Sequence, residues 1–450
     1  MSSRSFAGSV AALLLLVLSA GTPGGMLLAA GAQPATAPAS AAVAVPDDSK
    51  DCVTCHRTIS PAVVQQWERS PHAGNGIGCF GCHEAAKEDK DGFDHHGKRI
   101  ATIVSPKDCS QCHEKEYQEQ QGSRHADAAR FIGSLDNFLG EIVEGGPAAD
   151  LGCRQCHGSE VKVLPTGKLD PKTWPNGGMG RINPDGSKGS CAACHYRHEF
   201  SLAVARGPET CGKCHMGPDH PQVEIYKESK HGVLFETFRR EMNLSAKPWV
   251  AGQDYSAAPT CATCHMSATK KQAATHDVGK RISWTLRPAI STRLEKWEEK
   301  RASMAEVCSS CHGGQWVQNY FTQFDSFVNL YNDKFAKPAK EIMDALTAAG
   351  KLTKTPFDEQ LEWTYYELWH HEGRRGRHGA AMMGPDFVQW HGIYEVAKHF
   401  YTKFLPEAKA LSPEIVSKVL DASPLHDWRK GLSKEQLEKQ ILFYKERYGQ

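Results

Sequence analysis

The chain has 450 residues, of which 40% are hydrophobic and 23% are charged, with 53 Lys and Arg against 52 Asp and Glu. The formal charge of +1 excludes a nucleic-acid-binding protein of the basic-patch kind and an acidic disordered tail. The length alone allows two or three ordinary domains. The 16 cysteines are the most informative residues, because they form eight C-x-x-C pairs and a histidine directly follows each pair.

The first 50 residues have the composition of an export signal and a tether. Arg4 precedes an apolar run at residues 11–20, and small residues follow through Ala30-Gly31-Ala32. This order predicts a secretory signal peptide over residues 1–32, with an uncleaved N-terminal anchor as the alternative. Residues 33–50 are rich in Ala and Pro and are expected to form a flexible linker. We therefore expect an exported, periplasmic protein that is soluble or loosely membrane-associated.

Eight CxxCH motifs follow between residues 52 and 312. The motif cysteines are Cys52, Cys55, Cys79, Cys82, Cys109, Cys112, Cys153, Cys156, Cys191, Cys194, Cys211, Cys214, Cys261, Cys264, Cys308 and Cys311. The motif histidines are His56, His83, His113, His157, His195, His215, His265 and His312.

The histidine in every motif decides between three uses of such cysteine pairs. Zinc ribbons and disulfide frameworks both use C-x-x-C, but neither needs a histidine after every second cysteine. On one helical turn, residues i, i+3 and i+4 share a face. Two thioether bonds can then hold the edge of a porphyrin while the imidazole reaches its iron as proximal ligand. The sequence therefore predicts eight covalently bound c-type haems.

The number of motifs also predicts the fold. Eight haems leave roughly 52 residues of chain per cofactor, so we expect porphyrins to form the apolar interior of a mainly α-helical fold with little or no sheet. Residues 51–320 hold the motifs and are predicted to form the haem-binding domain. Residues 321–450 are predicted to be a helical region for packing and oligomerisation, because helical patterns recur there, including residues 358–371, 388–405 and 434–447.

Other histidines are candidates for the second axial position of each iron. The chain has 22 histidines, so 14 remain after the motif histidines. An electron-transfer haem needs a second strong ligand, whereas a catalytic haem keeps that position open. Each of these histidines, taken alone, could equally be a surface or core residue. The candidate distal ligands are His72, His96, His125, His198, His231, His276 and His378.

One stretch after the sixth motif differs from the rest of the chain. Asp219 and His220 stand between Gly217-Pro218 and Pro221. These neighbours would hold a carboxylate and an imidazole in a fixed arrangement, and such a pair can transfer protons beside a haem. The alternative is a turn with a capping aspartate.

From about residue 51 to about residue 401, the chain resembles the hydroxylamine oxidoreductase family of octahaem cytochromes. Besides the eight motifs, the marks of the resemblance are Arg197-His198-Glu199-Phe200, Asp219-His220, Ser229-Lys230-His231-Gly232 and Thr275-His276. The resemblance implies a catalytic fourth haem with an open distal face, held here by Cys153, Cys156 and His157. It also implies that Asp219 and His220 are distal proton-transfer residues and that the protein is a homotrimer.

Two departures from the family bear on the direction of the reaction. Oxidising members carry a tyrosine, donated by a neighbouring subunit, that is covalently linked to the catalytic porphyrin. The matching residues 376–392 contain no tyrosine, Phe387 and Trp390 stand at the corresponding positions, and Tyr394 lies just beyond. A second active-site tyrosine of those members aligns with Arg287, whose guanidinium suits an anion such as nitrite. Both departures favour reduction.

The sequence therefore predicts an enzyme that reduces nitrite or hydroxylamine at its fourth haem. We expect electrons to arrive from a cytochrome or a membrane quinol-linked cytochrome, and we expect no nucleic-acid partner. One alternative is the oxidation of hydroxylamine or hydrazine in the same pocket. Another is an electron conduit without substrate chemistry, in which a histidine such as His378 or His391 closes the fourth haem.

Overall fold

The computed structural model describes residues 43–130 and 134–450. The predicted signal peptide at residues 1–32 and most of the predicted linker lie outside these described residues. Residues Val43–Gln450 form one unit, which is mainly helical with two small antiparallel sheets. The predicted mainly α fold class is therefore confirmed.

Short helices and turns carry the motif-bearing part of the chain. Several begin with a side-chain cap; Ser105, for example, forms both halves of a capping box with Asp108. The helices of this part are α1 (Lys50–Ile59), α2 (Pro61–Glu68), α3 (Pro71–Gly74), α4 (Phe80–His83), α5 (Pro106–Ser110), α6 (Glu114–Gln121), α7 (Leu135–Phe138), α8 (Gly146–Leu151), α9 (Cys153–His157), α10 (Leu202–Arg206), α11 (Pro208–Gly212), α12 (Gln222–Glu228), α13 (Lys230–Thr237) and α14 (Cys261–His265).

Longer helices form the C-terminal part. They are α15 (Trp297–Cys308), α16 (Gly314–Tyr331), α17 (Lys337–Ala348), α18 (Gln360–Tyr366), α19 (Gly373–Met382), α20 (Pro385–Val388), α21 (Glu395–His399), α22 (Leu405–Leu411), α23 (Pro413–Asp421) and α24 (Lys434–Arg447). Wide π-helical turns connect α16 to α17, α18 to α19, and α20 through α22 without a break. These runs confirm the long helices that the sequence pattern predicts.

The C-terminal helices pack around a core of protein side chains. Tyr331, Ile342, Phe400, Phe404 and Leu420 are among its buried members. Burying side chains of this size stabilises the fold by about 1.5–3 kcal/mol each. The interior of this part thus consists of protein side chains. The prediction that porphyrins form the apolar interior applies to the motif-bearing part alone. The division predicted between residues 320 and 321 falls inside α16, so one helix runs through both predicted regions.

The strands form two hairpins. Strands β1 (Gly92–His95) and β2 (Lys98–Ala101) pair with His95 opposite Lys98, and β3 (Trp284–Thr285) pairs with β4 (Thr292–Arg293). Among the described residues, no helix has both the length and the apolar composition needed to traverse a bilayer.

Candidate functional site

Every motif folds as one helical turn. Motifs one, four and seven lie within α1, α9 and α14. In the second motif, the backbone N–H of His83 donates to the carbonyl of Cys79 at 3.0 Å, and the equivalent bond closes motifs three, five, six and eight. This turn brings both cysteines and the histidine of a motif to one face, as attachment to a porphyrin edge requires.

These turns surround a large interior cavity. Its volume is 2980 Å³, and all eight motif histidines and 15 of the 16 motif cysteines line it, Cys153 being the exception. Protein interiors are close-packed and contain few voids larger than a water molecule. A cavity of this size, lined by these side chains, therefore fits a set of large apolar cofactors.

Six motif histidines face a second histidine across this cavity. An iron with an imidazole on each side, and metal–nitrogen bonds of about 2 Å, places the two ring centroids about 6 Å apart. The pairs show this separation: His56–His95 at 6.4 Å, His72–His113 at 6.3 Å, His83–His198 at 6.5 Å, His125–His215 at 6.1 Å, His195–His276 at 6.4 Å and His231–His312 at 6.1 Å. The donor sets therefore fit bis-histidine haems, and five of the predicted distal histidines lie in these pairs.

The choice of His96 as a distal ligand is corrected. The structure places His95, the last residue of β1, opposite His56. His96 instead occupies the tight turn of the hairpin with a φ of 45°, beside Gly97. The hairpin register determines which of the two adjacent imidazoles faces the first motif.

Backbone carbonyls fix the tautomer of three motif histidines. The Nδ1 atoms of His83, His157 and His265 lie 3.1, 3.2 and 3.1 Å from the carbonyl oxygens of Ala101, Ala128 and Val278. A carbonyl can only accept, so each Nδ1 carries the proton and donates. The lone pair of Nε2 is then available to an iron, as in other metal-ligating histidines.

Two further histidines named from the sequence lie in different surroundings. His378, in α19, is buried and lines the cavity, and its Nδ1 has no hydrogen-bond partner among the described residues. It belongs to none of the six pairs. His391 is half exposed, and its Nε2 lies 3.3 Å from a carboxylate oxygen of Asp386 at the surface. Its position therefore gives no support to its closing the fourth haem.

Asp219 and His220 form the pair that the sequence predicts. Asp219 Oδ1 is hydrogen bonded to Nδ1 of His220, and the His220 side chain lines the cavity. Asp219 Oδ2 accepts from Nη1 of Arg374 at 3.1 Å. Burial opposes ionisation, but the hydrogen bond to His220 and the charges of His220, His370 and Arg374 hold the pKa of Asp219 well below its usual range. The anionic carboxylate thus orients the His220 ring, leaving Nε2 for the cavity.

A second carboxylate–imidazole pair lies on the other side of Arg374. His370 Nε2 is 2.6 Å from Asp136 Oδ1 and 2.9 Å from Arg374 Nη1. The hydroxyl of Tyr366 donates to Asp136 at 2.6 Å. Burial acts in the opposite direction, yet the hydrogen bonds from His370 and Tyr366 and the charge of His370 lower the pKa of Asp136 to about 2. Asp219, His220, Arg374, His370, Asp136 and Tyr366 are called the polar cluster below.

Sequence reasoning does not find most of this cluster. Asp136 and Tyr366 are 230 residues apart, and no motif surrounds either of them. His370 is one of several non-motif histidines in helical sequence. The available signal is the run His370-His371-Glu372-Gly373-Arg374, in which four of five consecutive residues carry ionisable side chains.

Arg287 lies beside the cluster, as does the fourth motif. The backbone carbonyl of Arg287 accepts from Arg374 Nε at 2.8 Å, and its side chain lines the cavity. Burial lowers the pKa of His157, and the charges of Arg287 and His220 lower it further. His157 therefore lies within electrostatic reach of Arg287 and His220, two of the three predicted catalytic residues.

Comparisons with known proteins agree with this geometry. A family model described as "Seven times multi-haem cytochrome CxxCH" matches residues 178–357, which contain motifs five to eight. A curated relative from Kuenenia stuttgartiensis, named a probable nitrite reductase-hydroxylamine oxidoreductase fusion protein, is 27% identical over 332 residues. That match covers 62% of this chain and 35% of the relative, so the chain spans about a third of the relative's length.

Two solved structures share the fold. One, titled a hypothetical multiheme protein, has a TM-score of 0.72 at 24% identity, covering 84% of this chain and 97% of that one. The other belongs to a "reducing HAO-like protein complex" of Kuenenia stuttgartiensis, with a TM-score of 0.60 at 20% identity, covering 83% and 86%. The motif turns and the facing imidazoles thus agree with the multi-haem CxxCH family model over residues 178–357 and with the fold of these two structures.

Proposed function

We propose that the protein is an oxidoreductase with eight c-type haems, similar to hydroxylamine oxidoreductases, which reduces nitrite or hydroxylamine at the haem of its fourth motif. The polar cluster beside His157 is the observation that carries the proposal. The names of the curated relative and of the second solved structure point to the same class of reaction.

The chain's own residues suit a proton-consuming reduction of an anion. When bound, the haems supply electrons and an iron that small nitrogen compounds can bind. Arg287 and His220 line the cavity and offer positive charge to an anion such as nitrite. Asp219 holds His220 by Nδ1, so its Nε2 can pass a proton toward the cavity. Reduction of either compound to ammonium takes up at least one proton per electron. The carboxylate–imidazole pairs Asp219–His220 and Asp136–His370 suit a reaction with this demand for protons.

The test is an assay of the purified holoprotein with reduced viologen as electron donor. Nitrite and hydroxylamine are supplied separately, and ammonium is measured. We expect turnover with at least one of them, and a loss of about 100-fold in Asp219→Asn with an unchanged haem content per chain. Asp386→Asn removes a carboxylate that pairs with a histidine at the surface and should keep the full rate.

Failure to reduce either compound would contradict the proposed function. A wild-type rate in Asp219→Asn would instead remove Asp219 from the proton transfer while leaving the activity in place. Pyridine haemochrome analysis of the same samples counts the haems, and fewer than eight would correct the proposed cofactor number.

Oxidation of hydroxylamine or hydrazine is the competing function, and it depends on a porphyrin-linked tyrosine. Residues 376–392 hold none; Phe387 is buried, whereas Trp390 and Tyr394 are exposed at the surface. We expect the absorption spectrum of the dithionite-reduced protein to contain ordinary c-type bands alone. A displaced band would reveal a cross-linked haem and make oxidation the leading function.

We also propose an exported homotrimer that receives electrons from a cytochrome or a membrane quinol-linked cytochrome. Exposed apolar side chains along α24 support the assembly, because a soluble monomer rarely leaves such a helix uncovered. Covalent haem and an N-terminal apolar segment support export.

A further inference from the structure

We propose that Asp136 and His370 form a proton-entry route from solvent to the Asp219–His220 pair. The inference rests on the proposed function, since a reaction that consumes protons in a closed pocket needs a supply of them. It assigns a task to residues that no sequence motif marks.

Asp136 is the most exposed residue of the route. The side chain of Asp136, on α7, is 37% exposed, whereas that of His370 is 5% exposed and that of Arg374 is 9% exposed. A carboxylate that contacts both water and a buried imidazole can collect a proton from solvent and pass it inward.

Tyr366 holds the outer part of the route in place. Its ring stacks on that of His370 with centroids 4.2 Å apart, and its hydroxyl donates to Asp136. The same tyrosine therefore fixes the imidazole and the carboxylate at 2.6 Å from each other. Tyr366 directly precedes the wide π-helical turn Glu367–Glu372, and His370 lies within it. Such turns occur frequently at functional sites.

Arg374 connects the outer pair to the inner one. His370 Nε2 and Asp219 Oδ2 both contact its Nη1 atom, at 2.9 and 3.1 Å, so they lie no more than about 6 Å apart. That distance is short enough for a single water molecule to bridge. The guanidinium itself does not give up a proton, so Arg374 is a positioning residue that keeps both carboxylates close without repulsion.

The charged and titratable groups around His370 come from three parts of the chain. Asp136 comes from α7, Asp219 from the loop after the sixth motif, and Tyr366, His371 and Arg374 from its own helical run. Two carboxylates face one guanidinium here, and the net charge of −1 favours one additional proton on the neighbouring imidazoles.

The test measures proton uptake without substrate. Holoprotein in weakly buffered solution is reduced in a stopped-flow instrument, with a pH-indicator dye reporting protons and haem absorbance reporting electrons. We expect at least a tenfold slower proton uptake in Asp136→Asn and His370→Gln, with an unchanged rate of haem reduction. Asp386→Asn and His391→Gln alter a comparable carboxylate–imidazole pair at the surface and should behave as wild type.

Two further variants separate proton transfer from a structural role. Asp136→Glu keeps the carboxylate and should retain fast uptake, and His370→Gly should recover it when free imidazole is added. These outcomes hold even if Asp136→Asn fails to load haem. Recovery by imidazole cannot come from repaired packing at Asp136, so it isolates the proton-carrying step.

The outcomes distinguish this route from the proposed function. Wild-type uptake in both Asp136→Asn and His370→Gln, or no uptake by the wild type, would overturn the route even if nitrite or hydroxylamine is reduced. Slow uptake in the variants of a protein that reduces neither compound would support the route and refute the proposed function.

Discussion

Two adjacent histidines, His95 and His96, show how a single residue's placement depends on local backbone geometry. The ring of His95 faces His56, whereas His96 occupies the hairpin turn. We expect His95→Gly to convert one haem from low spin to high spin, because its iron loses one of two strong axial ligands. Electron paramagnetic resonance of the oxidised protein measures this change.

His96→Gly is the matched control for that substitution, since it removes an imidazole one residue away. Its spectrum should equal that of the wild type. A high-spin signal in His96→Gly, with none in His95→Gly, would restore His96 as the ligand.

Asp136 should contribute a pH-dependent part of the stability. Its pKa is lowered to about 2 in the folded protein from an ordinary value of 3.8, so its ionised form favours the folded state. The contribution is fully present above about pH 4 and disappears as the pH falls through 2. We therefore expect Asp136→Asn to melt at a lower temperature than the wild type near neutral pH, and the two melting temperatures to converge near pH 2.

Circular dichroism melts across this pH range check the prediction. A difference between the two proteins that stays constant from neutral pH to pH 2 would mean that loss of packing, rather than loss of charge, explains the effect of the substitution.

At the residue scale, the sequence predicts contacts between residues that are close together in the chain. Asp219 and His220 are adjacent, and the prolines on either side of them predict that the pair is held in a fixed arrangement. Asp136 and Tyr366 meet only because the fold brings α7 against the end of α18. No periodicity or spacing encodes a contact across 230 residues, so this half of the polar cluster becomes visible only in the structure.

Among the helical elements, α19 carries Arg374 into the cluster and packs closely against the π-helical turn Gln389–Tyr394. A Cβ added at Gly392 would lie 2.5 Å from Gly376 Cα and even closer to the carbonyl oxygen of Phe387. We expect Gly392→Ala to destabilise the protein by about 1–3 kcal/mol, because two backbones must separate. Thermal denaturation of the holoprotein measures the loss.

Gly314→Ala provides the control for this packing argument. Gly314 is the first residue of α16, and nothing lies within 4 Å of a Cβ added there. Alanine is the better helix former, so the melting temperature should stay the same or rise slightly. A drop of similar size in both variants would contradict the role assigned to the close contact at Gly392.

Hydrophobic periodicity marks the helices that pack against protein but not those that face the cavity. Residues 314–348 and 385–411 bury apolar side chains at helical spacing, so their pattern is visible in the sequence. The five-residue helix α9 buries none of its residues against protein. Its CRQCH sequence follows the needs of a cofactor, and hydrophobic periodicity therefore does not mark it.

For the whole molecule, the C-terminal helix α24 is the element most clearly in need of a partner. Leu437, Ile441, Tyr444 and Tyr448 follow one another at helical spacing and are all exposed. We expect native mass spectrometry to find a trimer, and Ile441→Glu to shift it towards monomer because a charge would be buried at the interface.

Gln440→Glu places the same charge on the neighbouring residue of that helix and should leave the trimer intact. A wild-type monomer would refute the proposed assembly, and equal dissociation of both variants would show that added charge, rather than the apolar face, controls it.

The number of CxxCH motifs predicts the cofactor type and the fold class of the molecule, since eight such motifs lie between residues 52 and 312. The motifs do not predict that the C-terminal helices form a separate core of protein side chains. They also do not predict that one of those helices, α19, contributes Arg374 to the polar cluster. Both facts depend on how distant helices dock, which composition and spacing leave open.

The facing imidazoles have a consequence for how the chain reaches its native state. With haems attached, each pair is a reversible cross-link, and the His83–His198 pair closes a loop of more than one hundred residues. In the denatured chain every attached iron can bind any of the 14 remaining histidines, and most such bonds are wrong. Refolding should therefore be slow at neutral pH and faster near pH 5, where free imidazoles are protonated and release the iron.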